Sequence, residues 1–424
     1  MKKPATSAYH GAELPSAEIS ALQDIERSLE EERAAGRGNI SVAVENNTVV
    51  ALSLRYCDLA ALPESITRLS NLRRLDLTGN RLSVLPDALG ALARLEELSL
   101  DGNRLAALPE SLVALRQLRE LHIDHNQLTA LPAWIGQLSS LSVLSAYGNA
   151  IAAIPDSLSQ LSGLTGLSIG HNQLTALPES LWSLTNLQLL NVAENRLSSL
   201  SEQLGKLAQL HTLDIAHNEL TALPEALGDL SNLTYFLYIS DNHLTALPDS
   251  VGNLSKLRYL NVTDNELTTL PETIGKLASL RELRLYNNQL TALPDSVGNL
   301  SNLLELHAMN NRLAALPGSL GKLKRLKELH LSNNRLTALP ESVGDLSGLT
   351  RLDLRNNRLL ALPDALGRLK RLSFLDLRNN RLVALPDSLG DLPNLEKLDL
   401  RWNKLARRPA WFQGLEQRGR IILT

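Results

Sequence analysis

From Val50 to Leu405 the chain repeats one pattern, LxxLxLxxNxLxxLPxxLGxL, every 23 residues. A fixed period of this length restricts the fold to stacked, nearly identical units. The pattern reads most clearly in Leu72 to Leu92 and in Leu372 to Leu392. Its asparagine recurs at Asn80, Asn103, Asn126, Asn149, Asn172, Asn195, Asn218, Asn242, Asn265, Asn288, Asn311, Asn334, Asn357, Asn380 and Asn403, and with Cys57 in that place at the first rung the repeats number sixteen. Each LxLxx segment alternates apolar and polar residues, so it reads as a short strand with leucines inward, paired in parallel with its neighbours. The LP pair then opens a short helical turn, with proline at the first helical position and an acid usually next, as at Glu64, Asp87, Glu179, Asp249 and Asp364. Glycines such as Gly90, Gly228 and Gly344 fall in the compact stretch that follows. Strands on one side and wider turns on the other predict an α/β solenoid, a curved horseshoe with a parallel concave sheet and short helical turns on its convex side.

Composition supports a core of stacked leucine: 44% of the 424 residues are hydrophobic but only 3% are aromatic. The balance of 42 basic against 45 acidic residues, without a long run of one sign, gives no electrostatic footprint for nucleic acid or an anionic membrane. Residues Met1 to Pro15 lack the apolar run of a secretory leader, and no later stretch is long and apolar enough to span a bilayer. The single cysteine, Cys57, cannot pair within the chain, so a reducing compartment is expected: the cytoplasm, or a host cytoplasm reached without a cleaved leader. The expected layout is a flexible tail over 1–15, a helical cap over 16–48, repeats over 49–409 and a second cap over 410–424, in a monomer. Ser16 can cap a helix to about Gly36 with Ile19, Leu22, Ile25 and Leu29 on one face. Trp411, Phe412 and Leu415 precede a strand-like run, Arg420 to Leu423.

The 23-residue repeat resembles the leucine-rich repeat family, nearest to its intracellular Ras-group subclass and to type III secreted repeat effectors of plant-pathogenic bacteria. The resemblance covers most of the chain and implies a recognition scaffold. Some similar effectors add a ubiquitin-ligase region, for which no residues are left over here. The repeated asparagines read as architectural, since each must bond backbone groups where the strand bends into the core. Cys57 reads the same way from its place in the period.

Residues 23 apart stack as columns on the sheet, and three groups of columns are candidates for function. Glu282, Glu305 and Glu328 stack beside Arg284, His307 and His330, which either stabilise one another or supply ligands for a metal or a proton transfer. Asp353, Asp376 and Asp399 stack beside Arg355, Arg378 and Arg401 as a solvated ladder or a binding rim, and Asp101, Asp124, His122 and His125 form a similar group. Tyrosines fall at strand positions expected to be exposed: Tyr56, Tyr147, Tyr235, Tyr238, Tyr259 and Tyr286. Four of them crowd three successive rungs, with Met309 on the next, and clustered exposed tyrosines anchor protein interfaces.

One repeat is irregular, for Asn218 to Asn242 spans 24 residues. Counting forward from Leu233 turns Phe236 inward, whereas counting back from Asn242 turns Leu237 inward. The extra residue therefore lies near Tyr235 and Phe236, read as a bulge in a paired strand, and bulges often border functional sites. The sequence thus predicts a partner protein on the concave face, contacted by Tyr235, Tyr238, Tyr259, Tyr286, Met309, Glu282, Arg284, Glu305 and His307, with no catalytic residue, cofactor or metal. The alternatives are a metal-dependent hydrolase centred on Glu305, His307 and His330, and a purely structural spacer.

Overall fold

The structure, a computed structural model, describes residues 6–9, 12–32 and 39–424, in two compact units, Met1–Leu197 and Ser198–Thr424. In the first, strand Thr6–Tyr9 pairs antiparallel with Ala12–Pro15, where the sequence suggests a tail. The cap helix runs Ser16–Glu32 and buries Ile19, Leu22, Ile25 and Leu29 as its spacing requires. The end expected near Gly36 lies outside the described residues. The Glu18 carboxylate, also buried, accepts the Val49 amide at 2.8 Å and so ties the helix to the first rung. Next comes a hairpin that the sequence reading did not anticipate, Asn39–Glu45 antiparallel to Thr48–Arg55. Its turn is Asn46-Asn47, both at positive φ (49° and 59°), the conformation a two-residue hairpin of matching twist demands.

From Thr48–Arg55 a parallel ladder runs rung by rung to Leu189–Asn191 in the first unit. A second ladder in the other unit runs from Thr212–Asp214 to the terminal strand Ile421–Leu423. Successive strands pair in register with leucine on leucine, as in Leu283 on Leu306, and those leucines are fully buried. The repeat asparagines are bonded as expected, and all are buried except the half-buried Asn149 and Asn403. Asn265 Oδ1 accepts the Leu244 amide of the previous rung at 3.1 Å, while its Nδ2 donates to the Ile239, Val262 and Thr263 carbonyls. Cys57 is buried, and its amide donates to Asn80 Oδ1 at 3.1 Å.

On the opposite side each repeat but the last, which is followed by an α-helix, makes a 3-10 turn. The proline is not its first residue, as the sequence suggests, but the extended residue before it: Pro248 has φ −66° and ψ 150°, and the turn is Asp249–Asn253. Where Ser201 replaces proline, its side chain accepts the Gln203 amide and caps the turn. The glycine permits close stacking of the turns, since a Cβ on Gly252 would lie 2.4 Å from the Thr273 carbonyl oxygen. The last helix, Trp411–Gln417, buries Phe412 and Leu415.

Candidate functional site on the strand face

Outward side chains of the second unit form two columns along its strands. One passes through Thr212, Phe236, Tyr259, Glu282, Glu305, Glu328, Arg351, Phe374 and Lys397, and the other, two residues on, through Asp214, Tyr238, Asn261, Arg284, His307, His330 and Asp353. The overlong repeat is resolved in favour of counting back from Asn242: Leu237 is buried, and Phe236 turns outward, 40% exposed. The extra residue is not inside the paired strand, as expected, but ahead of it. The Thr234 and Tyr235 amides both reach the His211 carbonyl and the Arg258 amide reaches that of Thr234, so Thr234 holds the regular position and Tyr235 is extruded. Strand Phe236–Tyr238 then pairs in register on both sides.

Extrusion completes an aromatic cluster. Phe236 stacks on Tyr238 with centroids 5.4 Å apart and planes at 12°, and meets Tyr259 edge-on at 5.6 Å. Tyr238 lies 5.3 Å from Tyr259, and Tyr235 lies 6.5 Å from Phe236 and 6.3 Å from the His211 ring. Tyr238, Tyr259 and Tyr286, expected to be exposed, are half-buried because their neighbours on the adjoining rungs cover them. Burial pushes the Tyr259 hydroxyl up to about 12, Arg284 opposing and Glu282, Tyr238 and Tyr286 reinforcing. Burial and then Asp214 also raise Tyr238. Both phenols are therefore neutral, and neither hydroxyl has a hydrogen-bond partner among the described residues. Tyr286 and Met309 stand just past strands Glu282–Arg284 and Glu305–His307. Phe236 is the member that the sequence reading left out, and the count back from Asn242 was its signal.

The charged columns adjoin this cluster. Arg284 lies 5.4 Å from the Tyr259 ring centre and donates from Nε to Glu282 Oε1 at 2.6 Å. Burial lowers the Arg284 pKa, but the Glu282 bond and Tyr259 outweigh it and the guanidinium stays charged. His307 and His330 stack face to face at 4.7 Å and 5°, each with Nε2 on the glutamate of its own strand: Glu305 at 3.0 Å and Glu328 at 2.9 Å. Burial lowers the His307 pKa, partly offset by its Glu305 bond.

The aspartate column is not the solvated ladder expected, for Asp353, Asp376 and Asp399 are all buried. Each carboxylate accepts the amide two residues on, and Arg378 and Arg401 lie over Asp376 and Asp399 with pairs of bonds. Burial raises Asp399, but the side-chain and backbone bonds from Arg401 hold it below the usual carboxylate range. Asp353, with a longer 3.3 Å contact to Arg355, is raised by burial. In the first unit Asp101 accepts the Asp124 amide at 2.8 Å and Asp124 accepts that of Tyr147 at 2.7 Å, so these acids also brace backbone. His125 packs on Tyr147, and His122 contacts Glu120. Beside the strands of the second unit, Asn287, Asn310, Asn333, Asn356 and Asn379, all at positive φ, link amide to amide into an exposed ladder. The sequence reading did not single it out.

Among the described residues, no helix is long and apolar enough to cross a membrane. A family model described as a leucine-rich repeat region matches residues 47–192, 246–333 and 317–417, and one described as leucine rich repeat matches 185–237. Among solved structures, a leucine-rich repeat protein of Leptospira interrogans is similar over 100% of both chains, with 31% identity and a TM-score of 0.81. The Arabidopsis receptor kinase HAESA, solved with the peptide hormone IDA and the co-receptor SERK1, is similar over 92% of this chain and 78% of its own, with 25% identity and a TM-score of 0.69. The functional domain of InlJ from Listeria monocytogenes shares the fold, with 24% identity, a TM-score of 0.64 and coverage of 84% and 68%. No curated protein sequence matches the chain at a significant level.

Proposed function

We propose that this chain, which belongs to the leucine-rich repeat family, is a recognition protein that seats a partner protein on the strand face of its second unit. The observation that carries this reading is the ring cluster of Tyr235, Phe236, Tyr238 and Tyr259, in a chain where aromatics are only 3% of residues. These rings stand on the outward face of the strands and contribute nothing to the leucine core. Packed against one another they are held in place before a partner arrives, so little side-chain entropy is lost on binding. The neutral hydroxyls of Tyr238 and Tyr259 then offer hydrogen bonds beside apolar area, the combination that interface anchors use. Tyr286 and Met309 extend the face beside the cluster, and Glu282, Arg284, Glu305 and His307 supply its polar rim.

Recognition without catalysis is what the family supports, and the hydrolase reading has less behind it. The Glu305 and Glu328 side chains beside His307 and His330 stay 40% and 36% exposed, so the group lies open on a sheet where water is not excluded. The reducing compartment suggested by the lone cysteine suits a cytoplasmic protein, and the effector-like repeats suit one delivered to a host cytoplasm.

The test is capture of partners by the intact chain and by a Tyr238→Ala, Tyr259→Ala variant, followed by affinity measurement with the partner identified. Loss of about 2 kcal/mol, roughly thirtyfold, at either single substitution supports the site. Full affinity in a double variant that still melts like the parent refutes it.

A further inference from the structure

We infer that Glu282, Glu305 and His307 form a binding site for a divalent transition-metal cation of the zinc type. The parallel register sets Glu282 beside Glu305 and Arg284 beside His307, so one imidazole and two carboxylates from adjoining rungs face one point. One donor atom from each residue lies within 4.8 Å of the other two. Donors bound to zinc at about 2.0–2.2 Å in a tetrahedron stand roughly 3.3–3.6 Å apart. His307 Nε2 is 3.0 Å from Glu305 Oε2 and 3.9 Å from Glu282 Oε1, distances that bracket that spacing. Closing the set requires glutamate side-chain rotations, and the strands stay where the ladder holds them.

The imidazole is the fixed member. Its side chain is only 14% exposed, and it is stacked against His330, which leaves it little freedom to turn away. Ligation uses the Nε2 lone pair, so the ring proton resides on Nδ1. One nitrogen with two carboxylate oxygens suits zinc, cobalt or nickel, whereas calcium and magnesium take oxygen ligands. Three protein ligands leave at least one coordination position open toward solvent. The site adjoins the aromatic cluster but stands independently of the partner reading.

Arg284 works against the cation, because its Nε holds Glu282 Oε1 at 2.6 Å and its charge lies beside the site. The inference therefore makes two opposite predictions for neighbouring substitutions. Calorimetric titration of the metal-stripped chain with Zn²⁺ should give saturable binding of one ion that His307→Ala, or Glu282→Gln with Glu305→Gln, weakens at least about tenfold. Arg284→Ala should tighten it, while Glu328→Gln on the next rung and His217→Ala, whose imidazole pairs with Asp241 elsewhere, should leave it unchanged. Titration with Co²⁺ should give a visible absorption band that is lost with His307→Ala. Melting curves separate a lost site from a lost fold, and the double glutamine variant substitutes if His307→Ala does not fold. Absence of saturable binding below about 1 mM overturns the inference. So does binding indifferent to both ligand variants, which would place an adventitious ion on the other histidines.

Discussion

Replacing Asn265 by alanine tests the architecture at one buried residue. The asparagine makes four bonds, one accepted and three donated, and they are not equally replaceable. Without it the Ile239 carbonyl still accepts from Asn242, the Val262 carbonyl from Asn288 and the Thr263 carbonyl from the Asp241 amide. The Leu244 amide keeps nothing, since Asn265 Oδ1 is its partner and Asn265 is 7% exposed. The cost is therefore that of one orphaned buried donor, about 1 to 3 kcal/mol. Urea titration followed by far-ultraviolet circular dichroism measures it, with Arg284→Ala as the comparison. Arg284 loses only a half-exposed ion pair and a ring contact, worth less than about 1 kcal/mol. Equal losses for the two variants would refute the claim that the asparagine ladder holds the rungs together.

Gly252→Ala should destabilise by about 1 to 3 kcal/mol because the new methyl meets the Thr273 backbone, whereas Gly318→Ala, with nothing within 4 Å, should be neutral or slightly stabilising in the same titration. Asp399 is held below the ordinary carboxylate range, so folding expels its proton; its contribution is complete above the unfolded value of about 3.9 and fades as pH falls through the folded one. Asp353 is raised and carries the opposite sign, so Asp399→Asn should flatten the loss of melting temperature between about pH 5 and 2, and Asp353→Asn should steepen it. A steeper acid limb in Asp399→Asn would contradict that assignment. Cys57, buried at the first rung, should react with a thiol reagent only as fast as the chain opens, and stoichiometric labelling of the folded protein within seconds would show otherwise.

Most of the scaffold is legible from period alone. A leucine every second residue in a strand must face one side, and an asparagine every 23 residues must meet the same backbone groups at each rung, so Leu283, Leu306 and Asn265 could be placed without coordinates. The cap helix was equally readable, since Ile19, Leu22, Ile25 and Leu29 follow helical spacing. The hairpin at Asn46-Asn47 was within reach too, because alternating residues flank a pair that tolerates positive φ.

The site is another matter. Local counting left two registers open at Leu233 to Asn242, and the pairing of Phe236 with Thr212 on one side and Tyr259 on the other selected between them, turning Phe236 outward and extruding Tyr235. Similarly, whether an aspartate beside an arginine stays in water depends on what the next rung lays over it. Arg378 reaches Asp376 and also comes within 3.4 Å of Asp399, which compensates carboxylates that would otherwise stay hydrated. The sequence alone determined which residues face outward in each regular repeat, because that follows from a period of two. Only the tertiary structure decided which of them touch across rungs, because rings and charges on neighbouring strands meet through side-chain conformations that no single repeat encodes.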